Sequence, residues 1–184
     1  MPSSSSITVV IAETKSAKLD HTLTKISFEI HNNKINVIQG TSGRGKTTLL
    51  KSLAGLSDEF TISTKEFSYP SCYYVPQHDF IFPGTLLENL YLTDLDSITE
   101  EQRFEANQLL RLLKLEDFIP NSMTMNVHRK LSGGQMRRLC VVRALLASSE
   151  VVLLDEPTSG LDPETEQIVF DVMKSFIPNR TFII

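Results

Sequence analysis

Short apolar runs alternate with helically spaced apolar residues along most of this 184-residue chain. Six short segments have the apolar, β-favouring character of strands: Ile7–Ile11, Ile26–Ile30, Ile35–Gln39, Tyr73–Val75, Val151–Leu154 and Thr181–Ile184. The four consecutive apolar residues from Val151 are typical of a central parallel strand that is buried on both faces. The pattern therefore predicts a parallel sheet in which this strand is central.

Helical spacing of apolar residues predicts helices between these strands. The segment Lys46–Leu56 carries its leucines on one side: Leu49, Leu50, Leu53 and Leu56. Asp162-Pro163 opens a later helix, because proline suits the first helical position. The apolar residues of that helix fall at i, i+3, i+4 and i+7: Val169, Val172, Met173 and Phe176.

The stretch from His78 to Lys130 has a helical character of its own. Thr99 and Gln102 form a capping-box pattern, and apolar residues then recur at helical spacing: Ala106, Leu109, Leu110 and Leu113. Alternating strands and helices, interrupted by this stretch, predict an α/β parallel-sheet core with a helical insert.

Composition narrows the classes of function. The length suits a single domain, and the formal net charge of −4 gives no electrostatic reason to expect a nucleic-acid partner. Cys72 and Cys140 are too few for a disulfide framework and lack metal-ligand spacing, so we expect small buried side chains. No apolar stretch approaches the roughly 18 to 20 residues that span a bilayer.

Residues 40–47 read GTSGRGKT and fit the phosphate-loop pattern G-x-x-x-x-G-K-[ST] between a predicted strand and a predicted helix. Lys46 offers a charge to the β- and γ-phosphates, and the Thr47 hydroxyl can bind Mg²⁺. A glycine-rich turn without a ligand is the structural alternative for this segment. Arg44 stands at a variable position of the pattern, and the alternative to a nucleotide contact is a solvated side chain. The remaining predicted nucleotide contacts come from glycine backbone and neighbouring residues: Gly40, Thr41, Ser42, Gly43, Gly45 and Thr48.

The sequence VVLLDE places two carboxylates directly after the predicted central strand. A phosphate loop of this kind needs an acidic partner for Mg²⁺, and Asp155 leaves the strand where that partner is expected. Glu156 follows at once and can accept a proton from an attacking water or orient it. In isolation, a strand that ends in a solvated acidic turn is the structural alternative.

A second glycine-rich segment, LSGGQ at residues 131–135, precedes another helical pattern. Ser132 is a good helix N-cap, and Gly133 and Gly134 expose backbone N–H groups before Gln135. A helix N-terminus of this composition is suited to hold an anion. The chain therefore carries two predicted anion sites.

These motifs occur in the order and rough spacing of the ABC-type ATPase domain, which the chain resembles from about Ile7 to Ile184. The matching segments are GTSGRGKT, the glutamine of YVPQ, LSGGQ, VVLLDEP and SGLD. The resemblance implies a P-loop NTPase fold, with a parallel-sheet core, a small antiparallel β part and an inserted helical subdomain. It divides the single domain 1–184 into an ATP-binding core, residues 1–77 and 131–184, and a helical subdomain, residues 78–130.

The resemblance also implies that ATP and Mg²⁺ are the cofactors, and that two such domains pair head to tail around ATP. Ser132, Gly133, Gly134 and Gln135 would then serve the nucleotide held by the other domain. Asp162, in SGLD, would couple the two sites. The implied Mg²⁺ ligands are Thr47, Gln77 and Asp155, and the implied catalytic residues are Lys46, Gln77 and Glu156.

Partners are implied by the same resemblance. A transmembrane permease would place the domain on the cytoplasmic face of a membrane, where ATP hydrolysis drives transport. Phe80, Ile81 and Phe82 stand where ABC exporters face a coupling helix of the membrane domain, although the core of the helical insert is an equal alternative. A non-transport ABC-type ATPase and a nucleotide-binding fragment with little turnover are the competing functions. The transported substrate and the direction of transport stay open.

Two parts of the family pattern are missing. Adenine usually stacks on an aromatic residue ahead of the phosphate loop, where the only aromatic residue is Phe28, with His21 as a weak substitute. The family's γ-phosphate histidine follows the strand that begins at Thr181, whereas no histidine follows His128 in this sequence. We therefore expect a fragment or a naturally shortened copy with an incomplete catalytic site.

Overall fold

The computed structural model describes residues 7–14, 25–64, 72–78, 80–121, 126 and 131–184. His21 and His128 lie outside these residues. The chain divides into two compact units. The first unit comprises Met1–Gln77, Ser149–Asp155 and Ile177–Ile184, and the second comprises His78–Ser148 and Glu156–Phe176.

The described part of the first unit contains two sheets. Its strands are β1 (Ile7–Thr14), β2 (Lys25–His31), β3 (Ile35–Asn36), β4 (Phe60–Thr64), β5 (Cys72–Val75), β6 (Val151–Leu154) and β7 (Thr181–Ile183). Strand β1 pairs antiparallel with both β2 and β4. The other four strands form a parallel sheet in the order β3-β7-β6-β5. The predicted parallel core and the small antiparallel β part are therefore both present.

Apolar burial accounts for the inner position of β6. Val152, Leu153 and Leu154 are buried, and β6 pairs with β5 on one side and β7 on the other. Helix α1 (Lys46–Leu53) packs its leucines into the core of the same unit. The buried members of that core are Ile30, Leu49, Leu50, Leu53, Phe60, Leu153 and Ile183.

The second unit is helical in its described residues. It contains α2 (Leu86–Tyr91), α3 (Glu100–Leu112), α4 (Gly133–Leu146) and α5 (Pro163–Phe176). The predicted capping box at the start of α3 is confirmed, because Thr99 and Gln102 exchange side-chain and backbone hydrogen bonds. The predicted apolar face of α3 is buried as well: Ala106, Leu109, Leu110 and Leu113.

A buried polar network links α4 to the segment before α2. The Arg143 guanidinium donates from Nε to the Asn89 carbonyl at 2.7 Å and from Nη1 to the Phe80 carbonyl at 2.9 Å. The buried Asn89 side chain in turn exchanges hydrogen bonds of 3.1 Å with the backbone of Phe82, whose ring centroid lies 5.7 Å from the guanidinium carbon of Arg143. One arginine thus holds both α2, at Asn89, and the segment before it, at Phe80.

Helix α1 is shorter than the predicted Lys46–Leu56. It ends at Leu53 because Gly55 adopts a left-handed φ of 70°. The N–H of Leu56 then reaches back to the Lys51 carbonyl at 2.8 Å, as in a glycine-terminated helix. Leu56 is consequently 64% exposed, and its predicted place on the core face was wrong.

Two strands also differ from the sequence prediction. Strand β3 covers only Ile35–Asn36 of the predicted Ile35–Gln39, although the Ile38 N–H still donates to the Ile184 carbonyl at 2.7 Å. Strand β4 was not predicted, although its sequence FTIST alternates apolar and polar residues as a half-buried strand does; it pairs with β1.

The two compact units divide the chain differently from the predicted subdomains. Both divisions have a boundary after Gln77, but α4 and α5 group with the helical insert. The division into an ATP-binding core and a helical subdomain stays a prediction. None of the helices in the described part of the chain combines the length and apolarity that crossing a membrane requires.

Candidate functional site

The loop between β3 and α1 has the backbone shape of a phosphate cradle. Gly43 and Gly45 adopt left-handed φ values of 79° and 82°, which residues with a Cβ rarely adopt. A Cβ at Gly43 would meet no atom within 4 Å, so the loop borders open space at this residue. The Lys46 ammonium donates to the Gly40 carbonyl at 2.7 Å and to the Thr41 carbonyl at 3.3 Å. The lysine charge therefore lies over the loop, where phosphate oxygens can replace the two carbonyls.

The N-terminus of α1 suits an anion. Its N-cap is Gly45, and among the described residues no side chain caps it and no acidic residue occupies its first turn. The first-turn N–H groups and the positive end of the helix dipole are therefore available to phosphate. Thr47 and Thr48 lie in that turn, and both are half-buried.

A cavity of about 350 Å³ lies beside this loop within the first unit. Gly40, Arg44, Gly45 and Lys46 form its polar edge. The rest of the lining is mostly apolar and includes Phe28 of β2. Phe28 is half-buried on this wall.

The parallel sheet brings the predicted magnesium ligands to one edge. The phosphate loop follows β3, Gln77 follows β5, and Asp155 follows β6. All three segments leave the carboxyl ends of strands in one parallel sheet, the edge at which open α/β sheets bind ligands. The hydroxyl of Thr47 and the carboxylate of Asp155 are oxygen ligands of the kind that Mg²⁺ prefers. These donors and the open loop fit an Mg²⁺–nucleotide complex.

Asp155 is a buried carboxylate, only 2% exposed. Its backbone N–H continues the sheet by donating to the Val75 carbonyl at 3.0 Å. Its Oδ2 accepts a hydrogen bond from the Tyr74 hydroxyl at 3.3 Å. Burial first, and then the nearby Asp155 carboxylate, raise the pKa of Tyr74 to about 12, so the phenol keeps its proton at neutral pH. Tyr74 is not among the site residues that the sequence motifs predict.

Glu156 lies in the second unit, directly after the buried aspartate. Its φ is 53°, a left-handed value that is uncommon for a residue with a Cβ. The Glu156 carbonyl accepts from the Ser159 N–H at 3.1 Å, and the side chain is exposed. Strained backbone of this kind often accompanies functional residues.

The start of α4 has the geometry that its sequence predicts. The Ser132 hydroxyl accepts from the Gln135 N–H at 3.3 Å, and the Gln135 side chain accepts from the Ser132 N–H at 2.8 Å. The predicted N-cap is therefore confirmed and is part of a full capping box. Gly133 leaves open space, since a Cβ there would meet nothing within 4 Å.

Asp162 caps the start of α5. Its Oδ2 accepts from the Thr165 hydroxyl at 2.7 Å, and its Oδ1 accepts from the Thr165 N–H at 3.0 Å. These bonds, the hydroxyl's first, hold the pKa of the Asp162 carboxyl below its usual value. Leu161, next to Asp162, lies beside Gly134 of α4.

The predicted site residues thus fall into two groups. The first unit holds the loop residues 40–48, Gln77 and Asp155, and the second holds residues 132–135, Glu156 and Asp162. The exporter-like segment is divided: Ile81 is buried, Phe82 is half-buried and Phe80 is 65% exposed. Both cysteines are free thiols; the prediction of a buried side chain is confirmed for Cys140 and is wrong for Cys72, which is only half-buried. Burial raises the pKa of Cys72 to about 11 and disfavours its thiolate.

Comparisons with known proteins show the family to which the chain is similar. The family model described as ABC transporter matches residues 23–159. The phosphate import ATP-binding protein PstB of Thermotoga maritima is 32% identical over 187 residues, which cover 86% of this chain and 71% of that protein. The phospholipid-transporting ATPase ABCA3 of Homo sapiens is 34% identical over 172 residues, which cover 86% of this chain and 10% of that protein.

The chain is similar to only one part of some longer relatives. The glutathione/L-cysteine transport system ATP-binding/permease protein CydC of Haemophilus influenzae is 33% identical over 177 residues, which cover 88% of this chain and 31% of that protein. A solved structure of a bacterial Atm1-family ABC exporter with ATP bound has a TM-score of 0.75 at 24% identity, covering 96% of this chain and 33% of that one. The chain thus spans a tenth of the Homo sapiens relative and about a third of the Haemophilus influenzae relative.

Fold, motifs and relatives therefore define one class, the nucleotide-binding domain of ABC proteins. The chain belongs to the ABC transporter family.

Proposed function

We propose that this chain binds ATP with Mg²⁺ at residues 40–48 and hydrolyses it, as the nucleotide-binding part of a membrane transporter. The observation that carries the proposal is the open phosphate loop ahead of the uncapped helix α1. The left-handed glycines Gly43 and Gly45 support the proposal, because they let backbone N–H groups turn toward a bound phosphate.

Each residue of the loop has a distinct task in binding. Backbone N–H groups of the loop donate to the phosphate oxygens, and Lys46 exchanges its bonds to Gly40 and Thr41 for bonds to the β- and γ-phosphates. Thr47, Gln77 and Asp155 hold Mg²⁺, which when bound neutralises charge that develops on the phosphates. The buried position of Asp155 strengthens this attraction, because little water screens it.

Glu156 acts on the water that attacks the γ-phosphate. Its exposed carboxylate accepts the water's proton or orients the water in line with the leaving group. The left-handed φ of Glu156 supports this role, because strained backbone often occurs at functional residues.

A second copy of such a domain completes the site. Ser132, Gly133, Gly134 and Gln135 contact the nucleotide held by the partner domain, and Asp162 couples the two sites. Hydrolysis then separates the two domains, and a transmembrane permease on the cytoplasmic face of a membrane converts this motion into transport. The exposed ring of Phe80 supports a contact with that permease.

Replacement of Lys46 tests the nucleotide site. Lys46→Ala should abolish retention of labelled Mg-ATP by the folded chain. Lys51→Ala is the matched control, because Lys51 is an exposed lysine in the last turn of the same helix and should leave binding unchanged. Equal ATP affinity for both variants and the parent would remove the loop from the nucleotide site.

Cross-linking tests the permease contact. A photoreactive label on Phe80→Cys should link the domain to an integral membrane protein in native membranes, whereas the same label on Leu112→Cys should not. Leu112 is a similarly exposed apolar residue on α3. The same products from both positions would contradict docking at Phe80.

A further inference from the structure

The phenol of Tyr74 and the carboxylate of Asp155 meet across two neighbouring strands. Tyr74 of β5 is paired with Leu153 of β6, and Asp155 lies two residues after Leu153, directly beyond the end of β6. Residues two apart in a strand share a face of the sheet, and diagonal neighbours are within reach of a long aromatic side chain. The hydrogen bond of 3.3 Å between the two side chains follows from this register.

The surroundings of Asp155 make this bond important. A carboxylate that is only 2% exposed has lost most of its water, and a buried charge needs hydrogen-bond donors in exchange. The Tyr74 hydroxyl supplies such a donor to Oδ2. It also restricts rotation of the carboxylate about its last torsion, which is otherwise broad.

We propose that Tyr74 is a positioning residue for the magnesium site: its hydroxyl holds one oxygen of Asp155 and so orients the carboxylate toward the metal. The inference rests on the proposed role of Asp155 as an Mg²⁺ ligand. Groups that hydrogen-bond to metal ligands fix the ligand's orientation, and their loss typically weakens metal binding or activity 10- to 100-fold. Tyr74 touches neither nucleotide nor metal in this arrangement, so its effect passes through Asp155.

The neighbouring residue provides a matched control. Tyr73 precedes Tyr74 on β5, and successive side chains of a strand point to opposite faces. Tyr73→Phe removes the same hydroxyl from the same strand but on the other face. Tyr74→Phe and Tyr73→Phe therefore change composition identically and remove a hydroxyl from opposite faces of the sheet.

The test compares affinity for a non-hydrolysable fluorescent ATP analogue in EDTA and in saturating Mg²⁺, using the full chain. In EDTA, Tyr74→Phe should bind the analogue with the parent's affinity. The increase in affinity that Mg²⁺ provides should be about tenfold smaller than in the parent, at the lower end of the range for such partners. Tyr73→Phe should match the parent in both conditions. With Mn²⁺ in place of Mg²⁺, the EPR spectrum of the bound metal should change in Tyr74→Phe alone.

A double variant decides whether Tyr74 acts through Asp155. If it does, the increase in analogue affinity that Mg²⁺ provides, the metal-linked gain, should be no smaller in the double variant Tyr74→Phe/Asp155→Asn than in Asp155→Asn alone. Additive losses would overturn the inference, as would equal losses in EDTA and in Mg²⁺, which indicate general structural damage.

The failure of this inference is distinguishable from failure of the proposed site. If the metal-linked gain of Tyr74→Phe equals that of the parent while Asp155→Asn has a smaller gain, the role of Tyr74 is rejected and the magnesium site stays in place. A parental gain in both variants removes Asp155 from the metal site, and the role of Tyr74 falls with it. Loss of analogue binding in Lys46→Ala reports on the phosphate loop independently of either result.

Discussion

Gly134 and Leu161 are in close contact: a Cβ placed on Gly134 would lie 3.3 Å from Cδ2 of Leu161. The two residues belong to different predicted motifs, LSGGQ and SGLD, and both lie in the second unit. The absence of a side chain at Gly134 therefore allows the loop before α5 to approach the first turn of α4.

This contact predicts opposite results for two neighbouring glycines. Gly133→Ala should raise the free energy of unfolding by up to about 1 kcal/mol, because alanine favours the helix and its Cβ meets open space. Gly134→Ala should gain less or lose stability, because Leu161 must shift by a few tenths of an ångström.

Urea denaturation followed by circular dichroism measures both stabilities, and the methyl NMR signals of Leu161 report the contact. Those signals should move in Gly134→Ala and stay in place in Gly133→Ala. Equal stabilities with unmoved Leu161 methyl signals would contradict the close contact.

Arg143 predicts a large stability effect far from the nucleotide loop. Arg143→Ala leaves the carbonyls of Asn89 and Phe80 without their donor, so we expect a loss of about 2–5 kcal/mol in the free energy of unfolding. Arg143→Lys keeps the charge but not the forked geometry, and should fall between parent and alanine variant.

The control for this network is Arg111→Ala, an exposed arginine near the end of α3. It should change the free energy of unfolding by no more than about 0.5 kcal/mol. Chemical denaturation compares the three variants, and an Arg143→Ala protein as stable as Arg111→Ala would show that the buried network contributes little.

The capping bond of Asp162 predicts a dependence of stability on acid. Because Thr165 holds the folded-state pKa of Asp162 below its usual 3.8, the carboxylate stabilises the fold above that value and loses its contribution as the pH falls through the folded pKa. Asp162→Ala should therefore melt below the parent at neutral pH, and the difference should narrow below about pH 4.

Asp162→Asn serves as the control for this titration. Asparagine keeps a capping oxygen but carries no charge, so it should retain most of the cap at neutral pH without the acid-dependent loss. Thermal melting from pH 3 to pH 7 measures the three proteins. If the difference in melting temperature between the parent and the alanine variant were constant over that range, the contribution of the cap would not depend on ionisation of Asp162.

Elements with strong periodicity could be predicted from the sequence. Val151–Leu154 became β6 and the apolar face of α3 is buried, because each pattern has one stable way to bury its residues. Strand β4 did have a signal, the alternation of apolar and polar residues in FTIST, but it is only five residues long and was missed; Phe60 is buried and the strand pairs with β1. The end of α1 had a signal in Gly55, which the regular leucine spacing outweighed.

The candidate site was predictable where a motif is contiguous. The phosphate loop, LSGGQ and the acidic pair each carry their pattern within a few residues. Tyr74 and Asp155 are 81 positions apart, and Arg143 and Asn89 are 54 apart. Such partnerships depend on strand register and helix packing, which no local pattern specifies. Long-range contacts of this kind therefore required the structure.

Glu156 combines a predicted catalytic role with an unfavourable backbone. Glu156→Gln removes the carboxylate but keeps the shape, so hydrolysis of ATP should slow strongly while Mg-ATP affinity stays near that of the parent. Glu156→Gly should also lose hydrolysis. Because glycine relieves the left-handed strain at φ 53°, the free energy of unfolding of this variant should equal that of the parent or exceed it by up to about 1 kcal/mol.

Two measurements separate function from stability at Glu156. Phosphate release gives turnover, and urea denaturation gives the free energy of unfolding. Glu150→Gln is the control, because Glu150 is an exposed glutamate just before β6 and should leave both unchanged. If Glu156→Gln releases phosphate at the parent rate, the water-activating role is wrong. If Glu156→Gly is less stable than Glu156→Gln, the left-handed backbone stores no strain and is held by contacts of the side chain.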